Sequence, residues 1–222
     1  MSHIGSLGQD RVVVTGQDGR VVGVDYATFV GPDVGHETFK GPAPADGTSI
    51  LAPVTLPLGA SQSVPATPGG DVDFPRTARV TLSTISVTFV SGFLSVNGLD
   101  AAGAPASVTI NFKASDIGMG ETSVSYDTGP AFSHVSSVTI SSVADAQGDE
   151  TVSVGLGQSV GLAAARAGTF SVFRVTKDGV AFGAYTVDTG NRTFKNFGDS
   201  VLLDGTATVD VWWRVVPPAS PV

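Results

Sequence analysis

"VNGLDAAGAPASVTINF", residues 96–112, is the stretch on which the fold turns. Its Asp-Ala-Ala-Gly-Ala-Pro centre is turn chemistry: Asp bonds nearby backbone, Gly accepts a positive φ, and Pro breaks a helix. On either side apolar and polar residues alternate, the period of a strand with one buried face. The stretch therefore reads as two antiparallel strands and their corner, not as a loop that cradles a ligand.

Outward from this corner the period of two continues. Strand patterns recur at 93–98, 106–112, 122–128, 135–143, 151–157, 169–179, 180–189, 192–197 and 207–216, punctuated by Gly, Asp and Asn. In "ARVTLSTISVTFVSG" (78–92), Val80 and Leu82 share one parity while Ile85, Val87 and Phe89 share the other, which predicts a face switch or bulge near Thr84. Asp178-Gly179 suits a two-residue hairpin turn. Only "SVGLAAARAG" (159–168) approaches a helical period, and its glycines limit it to a turn or two. Many short strands with regular turn signals predict an all-β chain, with an antiparallel β-sandwich or barrel-like domain over 76–222.

Residues 1–75 read differently, as a hairpin and an extended proline-rich arm. "RVVVTG" (11–16) and "RVVGVDYATFV" (20–30) flank Gln17-Asp18-Gly19, a plausible tight turn. Beyond them, scattered prolines forbid a helix or a central strand. The segment "ILAPVTLPL" (50–58) is too apolar for a solvated linker and is expected to lie against something. Ile50, Leu51, Val54, Leu56 and Leu58 are thus candidate interface residues. Their own domain, a neighbouring copy and a different protein all remain open as the surface they meet.

Composition narrows the function. Charged residues are only 14% of the 222, so the exposed faces must carry mostly Ser, Thr, Asn and Gly, which desolvate at lower cost than Lys or Glu. That suits contact with other proteins. The net charge of −8, with no basic cluster, argues against nucleic acid and anionic membrane as partners. The absence of Cys excludes disulfides and thiolate metal sites. No signal-peptide pattern opens the chain and no apolar run is long enough to span a bilayer, so a soluble protein made in the cytoplasm is expected.

No catalytic, cofactor or metal constellation emerges. His3, His36 and His134 stand alone, without metal-ligand spacing. The carboxylates of "DAQGDE" (145–150) and "DVDF" (71–74) lack calcium-loop spacing, and each stretch is expected to be a solvated turn. "GLGQSVG" (155–161) has neither the Lys nor the following helix of a phosphate loop, and no G-x-S-x-G elbow occurs. Tandem Trp212 and Trp213 place one indole on each face of their strand: one for the core, the other a candidate for a subunit contact or a sugar platform.

"VNGLDAAGAP", then "AFSHVSSVTI" (131–140) and "TVSVGLGQSVGLA" (151–163), entered by "PRTARVTL" (75–82), resemble a run of motifs in virion structural proteins of tailed bacteriophages. The resemblance covers about residues 70–215; Asn97 and Leu99 replace the more usual Thr positions, and the first 70 residues have no counterpart. It implies a non-enzymatic head decoration or cement protein on the capsid surface, bound to the major capsid protein or other virion proteins. It also implies a homo-oligomer, with a trimer favoured. A tail, adaptor or fibre component, or a receptor- or glycan-binding sandwich, is the alternative.

Overall fold

The computed structural model describes residues 12–15, 21–25, 33–56, 62–65, 72, 74–84, 90–164, 168–196 and 204–217. Among them no α-helix occurs, and every strand pairing is antiparallel. β1 (Val12–Thr15) and β2 (Val21–Asp25) pair as the expected N-terminal hairpin. Its Gln17–Gly19 turn lies outside the described residues, as do His3, Leu58 and the 85–89 half of the predicted face switch.

The opening corner is the hairpin that its alternation predicts. β7 (Ser91–Asp100) and β8 (Pro105–Lys113) pair in unbroken register from Ser91–Lys113 to Leu99–Pro105. Asp100 Oδ1 accepts the Ala102 and Ala104 N–H groups at 2.9 and 2.8 Å, and Gly103 sits at φ +80°, where a side chain would be strained.

This hairpin is one end of a curled nine-stranded sheet ordered β13-β14-β10-β6-β9-β7-β8. The remaining members of that path are β6 (Arg76–Ser83), β9 (Ser123–Ala144), β10 (Thr151–Gly161), β13 (Tyr185–Asp188) and β14 (Thr193–Asn196). β4 (Leu51–Thr55) lies beside β10, and β5 (Gln62–Pro65) beside β9.

The two strands expected at 122–128 and 135–143 are in fact one, β9, 22 residues long. Gly129-Pro130 does not end it because the pair sits on a bulge: the ladder to β6 skips between Thr77–Ala131 and Arg79–Asp127. There the Thr128 hydroxyl accepts the Ala78 N–H at 2.8 Å and donates to the Pro130 carbonyl at 2.9 Å, replacing the missing ladder bonds. Long β9 and β10 each carry two short partners in succession along one edge: β6 then β5 on β9, β4 then β14 on β10.

The concave side holds the larger core. Val80, Leu82, Leu94, Val96, Phe112, Val138, Ile140, Val152 and Val154 fill it from the sheet. Ile50, Leu51 and Leu56 from the apolar stretch close it, each at most 4% exposed. Arg76 secures this arrangement from a fully buried position, donating to the Gly157 carbonyl through Nε and Nη2 (3.2 and 2.5 Å) and to the Ala43 carbonyl through Nη1 (2.6 Å).

A second sheet is ordered β12-β11-β15-β3, from β12 (Val180–Ala181), β11 (Thr169–Lys177), β15 (Thr208–Val216) and β3 (Asp33–Lys40). Thus residues 33–40 and 51–55, within the proline-rich region, contribute a strand to each large sheet. The 180–189 pattern is split: its first residues pair with β11 across Asp178 (φ +51°) and Gly179 (φ +80°), and its last, β13, join the other sheet. The smaller core lies between the sheets, where Phe170, Val175, Val209, Val211 and Val215 meet Val160 and Leu162 at the end of β10 and Phe194 of β14.

Candidate functional site

Alternation along β15 places Val209, Val211, Trp213 and Val215 inward and Asp210, Trp212, Arg214 and Val216 outward. The two indoles therefore part, as strand geometry requires. Trp213 is 8% exposed in the smaller core. Its Nε1–H donates to Glu37 Oε1 at 2.8 Å, and the same oxygen accepts the Ala163 N–H at 2.9 Å. Gly35 faces the indole across the ladder, and a Cβ there would come within 2.1 Å of the ring. Only glycine leaves that ring its place.

On the outer face three rows cross the sheet, read from β11 through β15 to β3: Ser171, Arg214, Val34; then Arg174, Trp212, His36; then Thr176, Asp210, Thr38. The His36 ring stacks on Trp212 with centroids 4.4 Å apart and 12° between planes, while the Arg174 guanidinium lies 4.6 Å from the same ring. Because these partners come from strands on opposite sides of β15, both faces of the indole are covered and its edge is what solvent meets. Asp210 accepts from Thr38 Oγ1 at 2.6 Å, contacts His36 Nε2 at 3.1 Å and accepts from Thr176 Oγ1 at 3.3 Å. The Thr38 hydroxyl, helped by His36, holds its carboxyl below the usual carboxylate range, so it stays ionised.

Apolar side chains surround this centre. A bulge between Val172 and Arg174 pushes Phe173 outward to 52% exposure, and Val34 and Val216 are exposed nearby. Arg174 against the indole, with Arg214 and Lys40 beyond it, makes the face cationic on a chain of net charge −8. Sequence reasoning found Trp212 but not its neighbours, since the residues that join it lie on strands 38 and 176 positions away.

The other expected interface residues are placed differently. Ile50, Leu51 and Leu56 are covered by the chain's own larger core, and Val54 packs, half-buried, on its rim. Of the described members of that set, Trp212 and Val54 keep exposed surface.

The remaining sequence candidates have structural partners. "GLGQSVG" is the second half of β10, and exposed His134 sits within β9. The loop at 145–150 is not simply solvated as expected: Glu150 is fully buried, and its carboxylate accepts the Gln147 and Gly148 N–H groups at 2.9 and 3.0 Å. A carboxylate turned inward is the cap this loop needs. Among the described residues no group of three or more His, Asp or Glu is placed to hold a metal ion, and no helix is long and apolar enough to cross a membrane. Two surface hollows, of about 260 and 250 Å³, are lined by Thr77, Asp127 and Asp188 and by Asp100, Asn191 and Arg192 respectively. Their carboxylates are engaged locally: Asp127 by Arg79 at 2.8 Å, Asp188 and Asp100 by their own turns.

No family model matches the chain, and no curated protein matches it. Among solved structures it is similar to the infectious bursal disease virus VP2 subviral particle, at 10% identity and a TM-score of 0.21, over 98% of this chain and 50% of that one. It is also similar to the T13 viral particle of that virus, at 10% identity and a TM-score of 0.19, over 95% and 45%. The chain thus spans about half the length of these structures, and TM-scores this low define no common fold.

Proposed function

We propose that this chain is a non-enzymatic virion structural protein, a head decoration or cement protein that binds the assembled shell as a homo-oligomer, with three copies favoured by the phage resemblance. The observation that carries the reading is the outer face of the β12-β11-β15-β3 sheet. Trp212, its ring sandwiched by Arg174 and His36, forms the centre, exposed Val34, Phe173 and Val216 supply apolar surface around it, and Arg214 and Lys40 add positive charge. Aromatic and Arg residues with an apolar core and a charged rim are the make-up of protein contact surfaces. The face fits a shell protein that presents an apolar patch bordered by acids. Many identical copies on one particle then sum modest contacts into firm attachment.

The covered indole weakens the glycan alternative, because a sugar stacking on Trp212 would first have to displace Arg174 or His36. Purified protein is mixed with shells stripped of it and sedimented; saturable binding is expected, with Trp212→Ala and Arg174→Ala lowering occupancy while leaving the fold intact. Failure to bind any shell overturns the proposal, and label found only at the tail replaces it with the tail or fibre reading.

A further inference from the structure

The curled sheet ends at β8, and among the described residues no strand pairs with its far side. Which backbone groups face that side follows from the register. The flanking bonds Ala114 N–H to Val90 O (2.8 Å) and Asp100 N–H to Ala104 O (2.8 Å) fix the hydrogen-bonded pairs of the hairpin. Bonding alternates along an antiparallel ladder, so Ala106, Val108, Ile110 and Phe112 bond to β7, while Ser107, Thr109, Asn111 and Lys113 turn their N–H and C=O groups outward and Pro105 its carbonyl alone.

Both ends of this outward row are blunted. Pro105 has no N–H. At Lys113 the Tyr126 hydroxyl accepts the N–H at 3.2 Å and lies 3.3 Å from the carbonyl, donating to Asp116 Oδ2 at 2.8 Å. Among the described residues, Ser107, Thr109 and Asn111 stay open. An open edge is usually guarded by a central charge, a proline or a bulge; Ala106–Phe112 contains none of these.

We propose that this edge pairs with β8 of a second copy, antiparallel, about a two-fold axis through Thr109. In that register Thr109 faces Thr109 of the other copy, and Ser107 and Asn111 face each other twice, so the outward N–H and C=O groups of these three residues all find partners. The ladder stops there, because Pro105 has no N–H and the Tyr126 hydroxyl occupies the outer side of Lys113. Side chains follow the same symmetry: half-buried Val108 meets Ile110, and Ala106 meets Phe112, completing the rim of the larger core on both copies. The first ionisable residue, Lys113, lies at the margin, so no like charges oppose one another across the axis. The dimer contact is separate from any threefold association and does not rest on the shell-binding proposal.

The chain has no cysteine, so single introduced thiols report the register cleanly. Across the axis the Thr109 Cα atoms lie about 5.5 Å apart, within disulfide reach, whereas the two Ser107 positions are offset by about 14 Å along the strand. Oxidised Thr109→Cys full-length protein is expected to run as a covalent dimer. Ser107→Cys alone stays uncross-linked, and Ser107→Cys mixed with Asn111→Cys cross-links. Thr109→Pro, tolerated in the monomer because that N–H has no partner among the described residues, is expected to weaken dimerisation on the order of tenfold or more by sedimentation, with an unchanged circular dichroism spectrum. Three results each overturn the proposal: a monomer at all concentrations, equal cross-linking at 107 and 109, or a dimer indifferent to Thr109→Pro.

Discussion

Replacing Gly35 with Ala tests how the smaller sheet is held. The new Cβ would sit 2.1 Å from Trp213 Cζ2 and 2.3 Å from Cε2. Ordinary contact needs at least 3.4 Å, so the ring must shift by more than 1 Å. The ring is pinned by its 2.8 Å bond to Glu37, which also holds Ala163 at the end of β10; a shift of that size breaks the bond or bends β3 away from β15. A hydrogen bond to a charged acceptor contributes about 1.5–3 kcal/mol and overpacking costs about 1–3 kcal/mol, so a loss of about 3 kcal/mol or more is expected. For a chain of this size that lowers Tm by roughly 6–12 °C. Urea unfolding followed by tryptophan fluorescence measures it. In a Trp213→Phe background the clashing six-membered ring of the indole is gone, and Gly35→Ala should cost less than half as much. An equal cost in both backgrounds would refute the argument.

Arg76→Met removes the donor to the buried Gly157 carbonyl and to the half-buried Ala43 carbonyl and is expected to cost about 3 kcal/mol, read as a lower urea midpoint. Asp100→Ala removes two bonds from the exposed β7–β8 turn and should cost only about 1–2 kcal/mol, with the hairpin still formed by amide exchange. Stability should also fall in acid. The Lys177 ammonium beside Asp204, the Asn191 backbone N–H at Asp188 and the Thr38 hydroxyl at Asp210 hold these carboxyls below their ordinary value of 3.8. At Asp46 burial pushes upward, but N–H groups of Ser49, Thr48 and Leu156 outweigh it. A depressed carboxyl stabilises the fold above its unfolded pKa and ceases to as pH falls through the folded one. The urea midpoint should therefore be level from about pH 8 to 5 and drop below about pH 4; a midpoint unchanged at pH 3 would contradict these assignments.

The all-β class, the corner at 96–112, the Asp178-Gly179 hairpin and the opposed directions of Trp212 and Trp213 were legible in the sequence. Each follows from local backbone chemistry: a period of two, an Asp or Gly where φ turns positive, and side chains that alternate across a strand. The merger of 122–128 with 135–143 was not legible, because what carries the strand across Gly129-Pro130 is a hydroxyl bonded to Ala78, fifty residues away. The burial of Ile50, Leu51 and Leu56 depended likewise on the curl of a sheet whose strands lie mostly downstream of them. The face around Trp212 needed β3, β11 and β15 laid side by side before His36, Arg174 and Asp210 became neighbours. Local alternation states which way a side chain points; only long-range pairing and register decide what it meets.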